Sequence, residues 1–415
     1  MFRTLSRCRL CKGNSLDHIF VFPEVPLGNN LCKTSAAAKK AKKYPLSVLN
    51  CQTCGHYQLK YAVNPEILFA TNYTYLSGVA SSFREHFKNY VQWIEKNTAL
   101  IKGDTVFDVG SNDGSCLSVF KKNGYKVVGV DPASRAAETA NQNGIFTYNN
   151  FFNEETKDKI LEHFGRPKLI TSHNVLAHVD DLNNTFDLIR DILPDKGWLC
   201  FEVGYFRSVL ENGMFDTIYH EHLDYHLCAP LTRHLSKNGF DIVKVETNEI
   251  QGGSLRLLCQ KSTKGLISET VMNFISYENK FMHNNKQSLV DWQSTISEQM
   301  KSLARIVKKA RLDGKKVIGY GAPTKAALML ELSGLSSEDI DLIVEDNPLK
   351  AGRYLPGTGI PILSTSTLTS YSADLIVVFA WNFFDEILAK LRDEFNFSGK
   401  VIKPCPRPEI IEVLS

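Results

Sequence analysis

The sequence lacks any long apolar run and any large excess of charge of one sign. No stretch approaches the roughly 18 consecutive apolar residues of a membrane-spanning helix, and the first residues contain no apolar core of a signal peptide. The net charge is +3 and no basic stripe is present, which argues against a nucleic-acid partner. We therefore expect a protein that binds neither a membrane nor a nucleic acid.

Disulfide spacing is also absent, although the chain contains 10 cysteines. Cys200 in "WLCFEVG" and Cys259 in "LRLLCQK" stand singly in apolar runs, where reduced and buried cysteines are usual. This pattern predicts a cytoplasmic protein. With 415 residues, of which 43% are hydrophobic and 22% charged, the chain has globular composition. At about 100–200 residues per domain, it should form two or three domains.

Four cysteines near the start form two Cys-x-x-Cys pairs. The pairs are "CRLC" and "CQTC", with Cys8, Cys11, Cys51 and Cys54. Two such pairs can place four thiolates around one zinc ion, which would be structural because all four ligand positions are filled. The loop-rich segment between the pairs is too poor in apolar residues to fold on its own core. A redox pair or a chance spacing is the alternative. Cys32 has no partner cysteine, so we do not expect it to be a ligand.

A glycine loop follows the first predicted strand of an alternating α/β region. In "TVFDVGSNDGSCLSVFKKNGYKVVGVD", the predicted strand is Thr105 to Val109 and contains Asp108; Gly110 and Gly114 lie in the loop, and Asp131 ends the next strand. Glycines at this place let the backbone approach a ligand, and an acid after the second strand can accept both hydroxyls of a ribose. The spacing D-x-G-x-x-x-G is typical of the S-adenosylmethionine loop of class I methyltransferases. A dinucleotide-binding dehydrogenase is disfavoured because Ser111 and Asn112 stand where its second glycine would be, and an α/β core without ligand is the remaining alternative.

The later segments continue this alternation. "KLITSHNVLAH" predicts a strand ending near Asn174, and two further strands should close a sheet of five parallel strands and a terminal hairpin. After a predicted connecting helix within residues 265–313, "KKVIGYGAPTKAALMLELSG" begins a second α/β unit. Its loop offers backbone amides at a helix start, where an anion is favoured, and Lys325 adds a positive charge. The fold class is thus α/β: a class I methyltransferase domain between a zinc-binding domain and a second Rossmann-like domain.

The stretch "FDTIYHEHLDYHL" concentrates titratable side chains. It contains His220, His222 and His226, and His178 lies after an earlier strand. Histidine titrates near neutral pH and is the natural acid or base for proton transfer. A metal site is an alternative, because His220 and His222 would share one face of a strand. A solvated loop is another, and an isolated His178 could equally be structural.

Several motifs together resemble a known family. "YPLSVLNCQTCGHYQL", "YTYLSGVASSFREHF", "FDVGSNDG", "FDTIYHEHL", "QGGSLR" and "YGAPTKA" occur in the order found in the sugar C-methyltransferases of branched deoxysugar biosynthesis. The resemblance covers essentially the whole chain. It implies S-adenosylmethionine as cofactor, a structural zinc ion, and a nucleotide-linked 4-keto-6-deoxysugar as substrate. It also implies a monomer, because family members are often monomeric.

The resemblance assigns roles to individual residues. His222 of the motif Tyr-x-Glu-His would remove a proton next to the ketone, Tyr219 would bind near the keto oxygen, and Glu221 would hold the sugar or the base. His178 would donate to the enolate oxygen. Tyr75 of the Tyr-x-Tyr-x-Ser motif would enter the site, with Tyr73 as the alternative. His220 and His226 are expected to be bystanders.

The same resemblance places the cofactor and the substrate. The expected cofactor-binding residues are Asp108, Gly110, Asn112, Asp113, Gly114, Asp131 and Asn174. The expected substrate-binding residues are Gly252, Gly253, Ser254, Arg256, Tyr320, Lys325 and Asn382, among which Arg256 could bind the diphosphate through two parallel hydrogen bonds.

We expect three domains: residues 1–75 bind zinc, residues 76–264 bind the cofactor, and residues 265–415 bind the nucleotide sugar. Two other functional classes stay open at this point. One is a methyltransferase that acts on RNA or protein, and the other is a non-catalytic binding protein of the same fold, because a fold alone does not establish a function.

Overall fold

A computed structural model describes residues 2–70, 78 and 81–413 of the chain. The first part is mostly antiparallel strand, since Val, Ile, Phe and Tyr alternate with polar residues there. Its elements are β1 (Phe2–Thr4), β2 (Leu16–Pro26), α1 (Ser35–Lys39), β3 (Lys43–Cys51), β4 (Tyr57–Leu59), β5 (Tyr61–Val63) and a π-helix (Glu66–Ala70). The strands β2, β3 and β4 pair as antiparallel neighbours, and β1 pairs with β5.

The middle of the chain alternates strands and helices. Its elements are α2 (Ser81–Asn97), β6 (Thr105–Val109), α3 (Ser115–Lys122), β7 (Lys126–Val130), α4 (Ser134–Gln142), β8 (Thr147–Tyr148), α5 (Glu154–Phe164), β9 (Leu169–His173), α6 (Leu182–Ile192), β10 (Trp198–Gly204), α7 (Phe206–Glu211), β11 (Asp224–Tyr225), α8 (Cys228–Lys237), β12 (Phe240–Asn248) and β13 (Ser254–Lys261). Within the described residues, all of these strands except β11 form a seven-stranded sheet of order β12-β13-β10-β9-β6-β7-β8. The pairs from β8 to β10 are parallel, and β13 is antiparallel to both β10 and β12.

This order confirms the predicted sheet of five parallel strands closed by a hairpin. The parallel strands are buried on both faces, which explains their nearly continuous apolar runs such as "TVFDV" and "KVVGV". The sheet reverses its winding between β6 and β9, and ligands of open parallel sheets bind at the carboxyl ends of the strands at such a point.

The last part of the chain forms a second sheet of the same kind. Its elements are α9 (Glu269–Asn284), α10 (Lys286–Leu312), β14 (Val317–Tyr320), α11 (Ala326–Ser333), β15 (Ile343–Glu345), β16 (Arg353–Tyr354), β17 (Pro361–Ser364), β18 (Leu375–Val378), α12 (Phe384–Asp393), β19 (Gly399–Lys403) and β20 (Glu409–Val413). Over the described part, the strand order is β16-β17-β15-β14-β18-β19-β20, with parallel pairs from β17 to β19. The single connecting helix expected within 265–313 is two helices that meet at Asn285.

The N-terminal part contacts both later sheets. Strand β11, from the middle of the chain, pairs with β4 and completes an antiparallel sheet of order β11-β4-β3-β2. Cys32 pairs with Tyr354 of β16 through two backbone hydrogen bonds. The fold therefore joins segments distant in sequence, and the predicted boundaries of the three domains stay predictions. None of the helices that the structure describes has the length and apolar character needed to cross a membrane.

Candidate active site

The loop after β6 is shaped for close approach to a ligand. Gly110 and Gly114 have φ of +71° and +75°, which favour glycine, and Asn112 has φ of +50°. A Cβ atom on Gly110 would lie 2.3 Å from Cγ2 of Val175, just beyond β9. The loops after β6 and β9 therefore touch at the point where the sheet reverses its winding.

Acidic side chains surround this loop. The Oδ2 and Oδ1 atoms of Asp131 accept hydrogen bonds from the backbone N–H groups of Asn112 and Ala133, each at 2.9 Å. Burial raises the pKa of Asp131 to about 6. A carboxylate has about four lone-pair positions, so Asp131 retains acceptor capacity for ribose hydroxyls. Asp108 is buried and accepts from Thr171 at 2.8 Å.

Asp113 fixes the end of the loop rather than extending from it. Its Oδ2 accepts from the N–H of Gly78 at 2.8 Å, and its Oδ1 accepts from the N–H of Ser115 at 3.2 Å. The chain thus offers a glycine loop, a helix start and an acid after the second strand, which is the set of groups that a nucleoside-linked sulfonium cofactor requires.

Asn174 and His178 lie together in the loop after β9. Asn174 has φ of +55°, and its N–H donates to the carbonyl of Glu202 in β10. His178 is half-buried, and its Nδ1 lies 2.6 Å from the carbonyl oxygen of Glu221. A carbonyl can only accept, so Nδ1 carries the proton and Nε2 of neutral His178 carries a lone pair. Burial lowers the pKa of His178, which favours this neutral form.

Residues Tyr219 to His222 form a turn, in which the N–H of His222 donates to the carbonyl of Tyr219 at 3.0 Å. The Nδ1 of His222 lies 2.7 Å from the carbonyl of Thr217, so Nδ1 donates and Nε2 carries a lone pair. The Tyr219 hydroxyl donates to that Nε2 at 2.7 Å. Burial, followed by the nearby His178, lowers the pKa of His222 to about 3. His222 is therefore an unprotonated acceptor throughout the neutral pH range.

The imidazole rings of His178 and His222 are in contact, and their planes are inclined by 53°. The centroids of His178 and His222 are 4.9 Å apart, and His178 also contacts the ring of Phe69. The structure thus brings the loop of Asn174 next to the turn of His222, as the resemblance implies. It differs in one detail: neutral His178 has an acceptor at Nε2, so donation from Nε2 to an enolate oxygen would require a second proton.

Glu221 points toward the N-terminal part of the chain. Its Oε1 accepts from Nδ2 of Asn29 at 2.9 Å, and burial raises its pKa to about 7. A narrow cleft adjoins Glu221 where all three parts of the chain meet. It is lined by Val25, Pro26, Leu27, Gly28, Tyr219, His220, Glu221, Thr324, Ala327 and Leu328. Sequence reasoning missed Asn29, because "LGNNL" carries no signal beyond a loop.

The metal alternative for the histidine stretch finds no support in the described residues. His220 and His222 are in a turn and point apart: Nε2 of His220 lies 3.2 Å from the carbonyl of Tyr44. His226 is fully buried. In the described ranges, groups of potential metal ligands occur at the four N-terminal cysteines and at Asp108, Cys116 and His173, and neither includes these histidines.

Lys325 and Asn382 lie together beside the same turn. The Lys325 Nζ donates to Asn382 Oδ1 at 2.5 Å and lies 3.0 Å from Oδ2 of Asp216, a fully buried carboxylate. Trp381 donates to the same Oδ2 at 2.5 Å. Lys325 is thus engaged with Asp216, just before Tyr219. Sequence reasoning missed Asp216, although it is part of "FDTIYHEH".

Three of the other predicted substrate-binding residues, Gly252, Gly253 and Ser254, lie at the turn that leads into β13. Gly252 and Gly253 have φ of +86° and +123°, and Cβ atoms there would meet Met214 and Ser208 at 2.3 and 2.5 Å. Ser254 is buried and donates to the carbonyl of Ile250. Tight packing against α7 and against Met214, which follows it, therefore accounts for the glycines of this turn.

Arg256 and Tyr320 are occupied by partners within the protein. Arg256 is buried and lies 2.6 Å from Glu202, its neighbour across β10 and β13. Its guanidinium stacks on the rings of Tyr90 and Trp93. Tyr320 is buried and donates to Asp346 at 3.0 Å. Tyr75 and the alternative Tyr73 lie outside the described residues.

The four N-terminal cysteines converge on one point. Their Sγ atoms all lie within 4.8 Å of one another, with Cys8–Cys54 at 3.7 Å and Cys11–Cys51 at 3.6 Å. Four sulfurs at about 2.3 Å from a tetrahedral zinc ion are separated by about 3.8 Å, so the cluster fits zinc. None of the ten cysteines, all within the described residues, forms a disulfide.

Comparison with known proteins finds related domains along most of the chain. Three family models match consecutive parts of the chain. Their descriptions are "Putative zinc binding domain" for residues 8–69, "Methyltransferase domain" for residues 83–255 and "C-methyltransferase C-terminal domain" for residues 249–406. Together the three models cover most of the chain, and their descriptions agree with the methyltransferase that the cofactor loop and the cysteine cluster indicate.

A curated relative matches over the full length. It is C-methyltransferase NovU of Streptomyces niveus, which is 29% identical over 414 residues, covering 100% of this chain and 98% of the relative. This agrees with the family resemblance inferred from the motifs. The cofactor is S-adenosylmethionine, and the cysteine cluster is the matched zinc-binding region.

Solved methyltransferase structures also resemble the middle of the chain. Magnesium protoporphyrin IX methyltransferase from Synechocystis PCC 6803 is 16% identical, with a TM-score of 0.33 over 43% of this chain and 79% of that one. The plantazolicin methyltransferase BpumL is 14% identical, with a TM-score of 0.34 over 43% of this chain and 83% of that one. Both TM-scores are low.

Proposed function

We propose that this enzyme methylates a carbon atom next to the ketone of a nucleotide-linked 4-keto-6-deoxysugar. A carbon atom becomes a nucleophile only after it loses a proton, so C-methylation needs a base beside the methyl donor. The observation that carries the proposal is the position of His222, whose unprotonated Nε2 meets the Tyr219 hydroxyl at 2.7 Å, close to His178 in the loop of Asn174. Burial lowers its pKa to about 3, and a negative enolate beside the ring would raise this pKa during the reaction.

The proposed reaction begins with proton transfer to Nε2 of His222. The C–H bond next to the ketone breaks, and its electron pair forms the C=C bond of an enolate while the keto oxygen becomes negative. Tyr219 meets Nε2 of His222 in the structure, so in the reaction its O–H turns from Nε2 to this oxygen, because a positioned donor stabilises the charge where it develops. The β6 loop and Asp131 would hold S-adenosylmethionine, which would supply an electrophilic methyl group. As the enolate carbon bonds to this methyl, the C–S bond would break with its electron pair left on sulfur, giving S-adenosylhomocysteine. The C=O bond of the ketone would form again, and the proton would leave His222 for solvent.

The other side chains of the turn bind the sugar in this proposal. Glu221 has a pKa of about 7 because it is buried, so both protonated and ionised forms exist near neutral pH. It can therefore donate to or accept from a sugar hydroxyl. The adjacent cleft, bordered by Gly28 and Thr324, leads toward the second α/β sheet, where we place the nucleotide. Arg256 is excluded from the proposed contacts because Glu202 already binds it.

Deuterium exchange tests the proposal. The protein is incubated in heavy water with S-adenosylhomocysteine and a panel of nucleotide 4-keto-6-deoxysugars, and the sugars are analysed by mass spectrometry and NMR. We expect label at one carbon next to the ketone. His222→Asn should lose this exchange by at least about 100-fold while binding S-adenosylhomocysteine normally, because only the proton acceptor is removed.

The control is His283→Asn, which changes an exposed histidine outside the turn and outside the cleft. It should retain exchange. Exchange retained in His222→Asn but lost in His178→Asn would move the base to His178. Absence of exchange with every sugar in the wild type would contradict the proposed substrate class.

A further inference from the structure

A buried ion pair connects the first cysteine pair to the turn of His222. Arg9 lies between Cys8 and Cys11, and its side chain is only 4% exposed. Its Nε lies 3.0 Å from both carboxylate oxygens of Asp224, which is fully buried. Asp224 stands two residues after His222. His56, which follows the second cysteine pair, binds the same carboxylate at 2.8 Å.

The same guanidinium also holds the loop of His178. The Nη1 of Arg9 donates to the carbonyl of Asp180 at 3.1 Å, and Nη2 donates to the carbonyl of Val179. These two residues follow His178 directly. One side chain thus binds the segments after both histidines, with its guanidinium nitrogens distributed over a carboxylate and two carbonyls.

Backbone contacts join these segments in one block. The N–H of Leu223 donates to the carbonyl of Ala177 at 2.7 Å, and the N–H of Leu59 donates to the carbonyl of Leu223 at 2.9 Å. The N–H of Arg9 itself donates to Gln58 at 2.7 Å. The cysteine cluster, β4, β11 and both histidine loops are therefore rigidly connected through few bonds.

We propose that Arg9 is a positioning residue that transmits the geometry of the zinc cluster to His178 and His222. This inference rests on the proposed function only for the roles of the two histidines. Asp224 is fixed by Arg9 and His56 on one side and by pairing with β4 on the other. Arg9 touches none of the reacting groups. It instead sets the distance and angle between the two imidazole rings.

Lysine cannot replace this arrangement, although it keeps the charge. Its ammonium is a point donor, while the planar guanidinium binds a carboxylate and two carbonyls in fixed directions. We expect Arg9→Lys to lower kcat by about 10- to 100-fold with little change in KM or in affinity for S-adenosylhomocysteine, as is usual when supporting hydrogen bonds around reacting groups are lost. Arg7→Lys is the matched control, because Arg7 precedes the same cysteine pair and its side chain is exposed.

NMR gives a readout that needs no substrate. In ¹⁵N-histidine protein, long-range spectra report the ring nitrogens of His178 and His222, assigned through the two His→Asn variants. Both sets of signals should shift in Arg9→Lys and stay in place in Arg7→Lys, with zinc content unchanged in both. This result would support the inference even if the wild type exchanged none of the sugars, which separates its failure from that of the proposed function.

Unchanged ring signals and unchanged kcat in folded, zinc-loaded Arg9→Lys would overturn the inference. Loss of zinc would make Arg9 a part of the metal site and would overturn it as well. If Arg9→Lys does not fold, Asp224→Asn alters the other side of the same pair without touching a cysteine. The same shifts of both histidines are then expected, and their absence would reject the role of Arg9.

Discussion

At the scale of single residues, a backbone carbonyl sets the tautomer of His222, and another sets that of His178. Thr217 and Glu221 supply the carbonyls that hold Nδ1–H of His222 and His178. Each ring therefore presents its Nε2 lone pair. The motif Tyr-x-Glu-His predicted candidate catalytic residues. It did not predict their tautomers, because these depend on where the main-chain carbonyls lie in the folded chain.

Arg256 was expected to bind the diphosphate of the substrate, but in the structure its guanidinium forms a buried ion pair with Glu202. Despite burial, which raises it, the pKa of Glu202 is lowered to about 2 by the hydrogen bond from His86 and the charges of His173 and Arg256. Removing one partner of a buried ion pair leaves an uncompensated charge and typically costs about 3–5 kcal/mol.

Arg256→Met should therefore lower the free energy of unfolding by about 3 kcal/mol, with an unchanged KM for the nucleotide sugar in the folded fraction. Urea unfolding and steady-state kinetics measure both. Arg190→Met is the matched control, because Arg190 pairs with Asp187 on the surface and its loss should cost less than about 1 kcal/mol. A raised KM with unchanged stability would instead place Arg256 at the substrate.

At the scale of elements, two features hold the turn of Tyr219 to His222. Before it, Asp216 binds Lys325 and Trp381 of the second α/β unit. After it, Asp224 lies in β11 and pairs with β4 of the zinc-binding part. The turn itself has little regular structure, so its shape depends on these neighbouring elements.

The cysteine cluster should be required for the zinc-binding part to hold the turn of Tyr219 to His222. Cys51→Ser should release zinc and lower both the melting temperature and the solubility, because the segment between the cysteine pairs has little core of its own. Zinc content and thermal unfolding are the measurements. Cys32→Ser is the control, since Cys32 lies outside the cluster and pairs with Tyr354 through backbone atoms only. A zinc-free Cys51→Ser protein with normal melting and activity would refute a structural role for the ion.

At the scale of the whole molecule, buried histidines make stability depend on pH. Burial lowers the pKa of five of them from 6.5: His222 to about 3, and His220, His226 and His234 to about 4. It lowers the pKa of His178 as well. Below pH 6.5 the unfolded chain binds protons that the folded chain does not. Acidification toward pH 4 therefore favours unfolding.

Three carboxyls act in the opposite direction. Burial raises the pKa of Asp131 to about 6 and of Glu221 to about 7, and it also raises that of Glu278. These groups bind protons in the folded state first and stabilise it as the pH falls. Since five histidines oppose three carboxyls, the net effect is a loss of stability.

We expect the free energy of unfolding to fall by roughly 2–5 kcal/mol between pH 7 and pH 5. Urea unfolding at both pH values measures this, with zinc content followed to separate loss of the metal. His234→Gln should weaken the pH dependence, while His283→Gln, at an exposed position, should leave it unchanged. A urea midpoint that stays constant or rises at pH 5 would contradict the expectation.

The sequence by itself determined the order and kind of the elements. Apolar periodicity and the glycine loop predicted the five parallel strands with their closing hairpin, and two cysteine pairs predicted one cluster. These features are local, since each depends on residues close together in the chain. The motifs likewise predicted that Tyr219, Glu221, His222 and His178 matter, and the structure places these four side by side.

Only the tertiary structure decided what surrounds them. Asn29 reaches Glu221, Lys325 binds Asp216, and Arg9 binds Asp224, each across more than a hundred residues of chain. Such pairs depend on how the three parts of the chain pack against one another, and neither spacing nor composition encodes that packing. The pairing of Arg256 with Glu202 depends in the same way on the register of β10 and β13. Burial then sets the protonation of each group, because charge is costly away from water.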